Sequence, residues 1–258
     1  MSTIEPDAAH TGPPSARDAF ARSRFEKRLP TLLSVIAGMV DLTSFLTLGN
    51  LFTAHITGNL VVVAALSVRH GMINPAQILA VPVFLLAVAG VWLLARISSK
   101  RGPGLLRPLL LVQFLLLICV LIFSLITRPS ANPHGLMASI AAMMAVSAMA
   151  CQFALLRLAL PVAPSTAVMT GNLTNAVLSL VDTISRKQSL LAGDAERLRG
   201  SLSLFIGFFG GCVVAAAAVS PLGDWAWSFP VVLAGVVVAL VPSIRRGRPD
   251  ARKSLDIC

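Results

Sequence analysis

The sequence predicts an all-α polytopic membrane protein, a transmembrane helical bundle of six spans plus two short half-helices arranged as two inverted repeats. Three observations carry that expectation. Of the 258 residues, 56% are hydrophobic and only 12% charged, about half the charge of a soluble domain. Six apolar runs, at about 31–50, 75–95, 108–127, 136–160, 200–220 and 226–244, reach the roughly 20 residues a helix needs to cross ~30 Å of hydrocarbon. The basic residues lie between those runs and at the two ends of the chain.

Taken in order, residues 1–29 are rich in Pro, Ala, Ser and Arg, without the apolar core of a secretory signal. They predict a disordered basic tail. The first membrane repeat covers 30–134, the second 135–245, and 246–258 form another basic tail. Asp41 is the only acidic residue inside a predicted span. Pro82 and Gly90 interrupt the second span, and Gly207, Gly210 and Gly211 the fifth, as in membrane helices that pack closely. With the N-terminus inside, 19 of the 21 Lys and Arg lie on the cytoplasmic side, leaving Arg69 and Arg128 outside. That is the positive-inside pattern, with both termini cytoplasmic.

Two short segments do not fit a six-span count. "HITGNLVVVAALSV" (55–68) returns as "VMTGNLTNAVLSLV" (168–181). A displacement of 113 residues lays Thr57, Gly58, Asn59 and Leu60 on Thr170, Gly171, Asn172 and Leu173. It also lays Thr53-Ala54 on Thr166-Ala167 and Pro108-Leu109 on Pro221-Leu222. Each half is then a long helix, a Thr-Gly-Asn segment and two more helices. Three crossings per half make the halves inverted in the membrane. Were both short segments to cross, the loop 96–107 with Arg96, Lys100, Arg101 and Arg107 would face outward against the charge rule. Re-entrant half-helices satisfy it, since twelve helical residues rise only about 18 Å.

A helix that starts within the membrane leaves its first N–H groups without partners. Thr as N-cap, Gly for close backbone approach and Asn in the first turn would serve such a start. Its positive end would attract an anion or polar solute. Thr57, Gly58, Asn59, Thr170, Gly171 and Asn172 are therefore candidate solute-facing residues. The plainer alternative is an N-cap and turn opening a short interfacial helix, and the residues alone leave both open.

Asp41 joins that group as proton carrier, solute ligand or structural acceptor, because an intramembrane carboxylate is costly and faces the bundle interior. Gln152, on the fourth span, can hydrogen-bond across helices or to solute. Arg157, at that span's inner end, can pair with Asp41 or snorkel to the surface. His55 can act as a pH-sensitive gate or sit as a hydrogen-bonded interfacial histidine; Val168 replaces it in the second copy.

Other classes find little support. Net charge is +10, yet the bases are not interleaved with aromatics and Tyr is absent, so nucleic acid is not an expected partner. Cys119, Cys151, Cys212 and Cys258 show no close spacing, so neither a disulfide framework nor a metal site is signalled. No hydrolase, zincin or phosphate-loop motif occurs, so no enzyme activity and no cofactor are expected.

"GMVDLTSFLTLGNLFTAHITGN" (38–59), "CQFALLRLAL" (151–160) and "MTGNLTNAVLSL" (169–180) resemble the YoaK-type family of uncharacterised bacterial membrane proteins, a domain of unknown function (DUF1275). The resemblance covers about 30–245. Its markers fall on Gly38 and Asp41; on Phe52, Ala54, Thr57, Gly58 and Asn59; and on Gln152 and Arg157, with Phe153 standing where the family pattern has Asn. It implies a multi-pass protein of the bacterial inner membrane and supplies no substrate. The expected function is a secondary transporter or channel-like permease for a small polar or anionic solute. The alternative is a non-transporting scaffold or sensor. Expected partners are the lipid bilayer, the solute and, as a further option, a second copy of the chain in a homo-oligomer.

Overall fold

The computed structural model describes residues 16–69, 74–98, 102–160, 169–185 and 192–241. Residues 1–15, the basic residues Lys100, Arg101, Arg186 and Lys187, the Thr166-Ala167 pair, Val168 and the tail 246–258 lie outside them. Among the described residues the chain is helical and has no strand. The helices are α1 (Ala16–Thr47), α2 (Ile56–Val68), α3 (Pro75–Ile97), α4 (Leu106–Thr127), α5 (Leu136–Ala159), α6 (Met169–Ser185), α7 (Ala192–Leu222) and α8 (Ser228–Leu240).

Five stretches are long and apolar enough to cross a bilayer: Arg28–Thr47, Pro75–Ile97, Leu106–Thr127, Leu136–Ala159 and Leu198–Leu240. The protein is thus a multi-pass membrane protein. The first four coincide with expected spans to within a few residues. The fifth, 43 residues long, contains the expected span 200–220 and most of 226–244, because a 3-10 turn at Gly223–Trp227 joins α7 to α8 without leaving the apolar stretch. At 13 residues, α8 is shorter than the roughly 20 a crossing helix needs.

The N-terminus also differs. Helix α1 begins at Ala16, inside the segment where composition predicts a disordered tail. No Gly or Pro falls between 16 and 29, and Ala, Arg and Glu there are good helix formers.

Helix α5 forms the centre. Ala138, Ala141, Ala142, Ala145 and Ala148 are buried, and small side chains admit α3 and α4 closely on either side. Helix α1 packs chiefly along α7. A Cβ added at Gly38 would collide with the backbone of Phe208, and one at Gly211 with the carbonyl of Val35. Ser34 Oγ donates to the Leu204 carbonyl at 2.6 Å, and the Thr31 and Ser203 hydroxyls lie 3.0 Å apart. Outward faces remain apolar, with Leu85, Leu86, Leu94, Ile122 and Ile126 exposed, as lipid-facing helices require.

The packing pairs fall into a pattern. Helix α1 lies on α7 and α5 on α3; α2 lies on α3 and α6 on α7; α4 lies on α5 and α8 on α1; α1 touches α5 and α4 touches α8. Exchanging α1–α4 for α5–α8 maps these pairs onto themselves. Leu240, which ends α8, stands 113 positions after Thr127, which ends α4.

The segment containing α2 leaves and returns at one end of the bundle. Gly49 (φ 76°) and Asn50 (φ 58°) reverse the chain after α1 in left-handed conformations, which Gly and Asn tolerate best. Residues 51–55 then run back beside α1. Helix α3 starts against the same reversal: Asn74 caps it, accepting from the Ala76 N–H at 3.0 Å. Gln77 Nε2 donates to the Asn50 carbonyl at 3.1 Å.

Candidate functional site

The site is built around Asp41, six residues before the end of α1, about 9 Å of helix rise below it. Its side chain is buried at 3% exposure, so its two oxygens must be satisfied from within. The returning segment supplies the partners. Oδ1 accepts from the backbone N–H of Thr53 at 2.6 Å and of Ala54 at 2.7 Å, and from the Thr53 hydroxyl at 3.3 Å. Oδ2 lies 2.7 Å from Nδ1 of His55. These are charge-assisted bonds, stronger than neutral ones.

His55 is the N-cap residue of α2, but its side chain makes no capping bond. Its ring meets Phe208 of α7 edge-on with centroids 4.9 Å apart, and faces Phe52 at 6.4 Å. It lies in the connection between α1 and α2, outside the spanning helices, and its side chain is 41% exposed. The hydrogen bond to Asp41 raises its pKa above the ordinary histidine value; burial acts the other way, and the Asp41 charge adds to the rise. The pair is therefore a buried carboxylate holding a half-exposed imidazole through Nδ1.

The Thr-Gly-Asn triplet divides its labour. Thr57, in the first turn of α2 and not at its cap, is exposed. Gly58 makes room for the Phe52 ring, which would lie 3.1 Å from an added Cβ. That ring stacks on Phe45 with centroids 4.8 Å apart. Asn59 is fully buried, and its amide grips the Phe52 backbone from both sides: Oδ1 accepts from the Phe52 N–H at 2.8 Å, and Nδ2 donates to the Phe52 carbonyl at 2.7 Å. Gly58 and Asn59 thus fix Phe52, and through it the two N–H groups aimed at Asp41. Asn59→Ala is expected to leave the N–H and carbonyl of Phe52 unpaired and to cost about 2 kcal/mol. Thr57→Val should stay within about 0.5 kcal/mol. Thermal unfolding of the purified protein measures both.

In the second copy Thr170 is exposed, Gly171 half-buried and Asn172 buried, the same order as in the first. Position 165, opposite Phe52 in the repeat, lies outside the described residues. The counterpart of Asp41 is Ala154, buried at 7%, so the carboxylate belongs to one half only.

Gln152 and Arg157 lie elsewhere. Gln152, fully buried, donates through Nε2 to the Leu33 carbonyl of α1 at 2.9 Å and accepts from Gln113 Nε2 of α4 at 2.6 Å. It is a three-helix tie. Arg157 is exposed in the last turn of α5, and the residue paired with Asp41 is His55. Thr53, Gln77 and Gln113 also contribute, although the sequence does not mark them as site residues. A signal existed for two of them: Thr53 lies in the repeated Thr-Ala pair, and Gln113 is a polar residue inside an apolar run.

A family profile described as "Protein of unknown function (DUF1275)" matches residues 29–240. The chain belongs to the DUF1275 family. No curated protein and no solved structure matches it. Asp41, His55 and Phe208, together with both Thr-Gly-Asn segments of this DUF1275 protein, fall within the matched residues.

Proposed function

We propose that this DUF1275 protein is a permease for a small polar or anionic solute in the bacterial inner membrane, with both termini cytoplasmic, rather than an enzyme. The two halves are inverted repeats, and α2 and α6 are their half-helices. The observation that carries this is the start of α2: a helix that enters and leaves at one end of the bundle begins beside a buried carboxylate–histidine pair. The packing pairs that survive exchange of the halves support the repeat, and the strong asymmetry of basic residues supports the orientation.

Asp41 and Asn59 are consumed by internal hydrogen bonds, so the groups left for a solute at this start are His55 and Thr57. A histidine with a raised pKa beside a helix N-terminus favours an acceptor-rich or anionic guest. The test reconstitutes the full chain in liposomes and follows uptake of chloride, acetate, phosphate, glycerol and urea against protein-free vesicles. At least one flux should exceed the control and fall about ten-fold or more in His55→Gln, the loss of about one charge-assisted contact. Folded wild-type protein that passes none of the five would favour the scaffold reading, which the complete internal use of Asn59 and Asp41 also supports.

A further inference from the structure

Three arginines collect at the end of the bundle away from the Gly49 reversal. Helices α3 and α5 start together, because a Cβ at Gly49 would meet both the side chain of Asn74, which caps α3, and the carbonyl of Pro133, just before α5. Arg96 and Arg157 each stand 21 residues after the first residue of their helix, Pro75 and Leu136, about 32 Å of rise. The connection 128–135, with a 3-10 turn inside it, is too short to run back along α4. Helices α4 and α5 are therefore antiparallel, and Gln113 meets Gln152 between them. From that pair Arg107 lies six residues away on α4 and Arg157 five on α5, towards the same end, so their levels differ by about 1.5 Å. All three arginines thus sit about one hydrocarbon thickness, ~30 Å, from the far ends of their helices. That is the level of phospholipid head groups.

The three also stand on neighbouring helices. Helix α5 packs against both α3 and α4, and the 3-10 turn Gly102–Leu105 that leads into α4 packs on α5. Packed helix axes lie about 8–10 Å apart, a separation that two extended guanidinium side chains can close. All three side chains are exposed, and none is ion-paired among the described residues. No Asp or Glu occurs between Asp41 and Asp182, so α3, α4 and α5 offer no counter-charge. The Arg96 guanidinium lies 5.0 Å from the centroid of the Trp92 ring, which holds it at the interfacial depth Trp favours. Leu93 and Leu94 on α3 and Leu115 on α4 are exposed, so apolar surface runs up to the cationic rim.

We infer that Arg96, Arg107 and Arg157 bind the phosphate of an anionic phospholipid, whose acyl chains lie along the exposed leucines of α3 and α4. Three unpaired positive charges at one level, with no acid on their helices, attract an anion. Guanidinium matches phosphate oxygens two at a time. Apolar surface that ends in a cationic rim suits an amphiphile, whereas a free anion would use the rim alone. A zwitterionic lipid carries its own cation beside the phosphate and gains less. In the orientation proposed above, this end faces the anionic cytoplasmic leaflet. The inference needs no solute flux, and a chain that passes no solute would leave it standing.

Thermal unfolding of the full chain in a neutral detergent tests it, with phosphatidylglycerol, phosphatidylcholine or inorganic phosphate added at constant ionic strength. A ligand bound only by the folded state raises the melting temperature saturably. Phosphatidylglycerol should do so, and the other two should not. Arg157→Gln should increase the half-saturating phosphatidylglycerol concentration about ten-fold, the share of one charge-assisted contact. Arg128→Gln, which removes an exposed charge at the opposite end of α4, should leave it unchanged. Equal melting in the two lipids would overturn the site, as would an unchanged half-saturating concentration in Arg157→Gln. A rise with inorganic phosphate would make the ligand a free anion, and equal shifts in both variants would reduce the effect to general charge attraction; either result overturns the assignment.

Discussion

Asp41→Ala is expected to destabilise the folded protein by about 3–5 kcal/mol, because each buried donor left unsatisfied costs about 1–3 kcal/mol. The substitution orphans the N–H groups of Thr53 and Ala54 and the Thr53 hydroxyl, and it frees His55. With them goes the anchor of the chain between α1 and α2. Asp41→Asn should fall between wild type and alanine, because its single carbonyl can still accept from the two N–H groups while its NH2 faces Nδ1 of His55. A variant pair of equal stability would show that the carboxylate is not what holds the segment.

The same pair fixes a pH dependence. The pKa of His55 is raised in the folded protein, so the stability it contributes is fully present below the unfolded-state value of about 6.5. That contribution is lost as pH rises through the higher folded value. The groups facing the ring are Asp41 on α1 and the uncharged rings of Phe52 and Phe208. Exposure of the side chain screens the interaction and keeps the effect modest. Wild-type melting temperature should decline as pH rises above about 6.5, and His55→Gln should flatten that decline. A slope unchanged in the variant would assign it to another group.

The second large effect lies between α1 and α7. Alanine at Gly38 or Gly211 places a methyl group against a backbone carbonyl of the facing helix, and a carbonyl in a helix cannot rotate aside as a side chain can. The helices must separate, weakening the Ser34–Leu204 and Thr31–Ser203 contacts. Each substitution should cost about 3 kcal/mol, the upper end of overpacking. Gly210, on the same helix, has nothing within 4 Å of an added Cβ. Gly210→Ala should therefore be neutral or gain up to about 1 kcal/mol from helix propensity. Equal losses at all three positions, read by thermal unfolding, would mean that the close approach is not what glycine serves here.

Much of this was legible beforehand. Four spans could be placed from apolar run length, and Asp41 stood out because charge is expensive in hydrocarbon. The glycines of the fifth span were readable as sites of close packing, though not which of them faces α1. Thr57 and Asn59 were harder. Both suit the start of a helix, but one is exposed and the other grips Phe52, and that difference depends on which way the first turn of α2 faces.

By itself the sequence determined that this chain enters a membrane and where its long helices run, since hydrophobic length against bilayer thickness is a local property of consecutive residues. It also carried the displacement of 113 that matches one half to the other. Only the tertiary structure decided what satisfies Asp41, which glycines touch a neighbour, and that α7 and α8 follow one another without leaving the apolar stretch. Those outcomes depend on contacts between residues distant in the chain, and a buried polar atom takes whatever partner the folded backbone brings within hydrogen-bond reach.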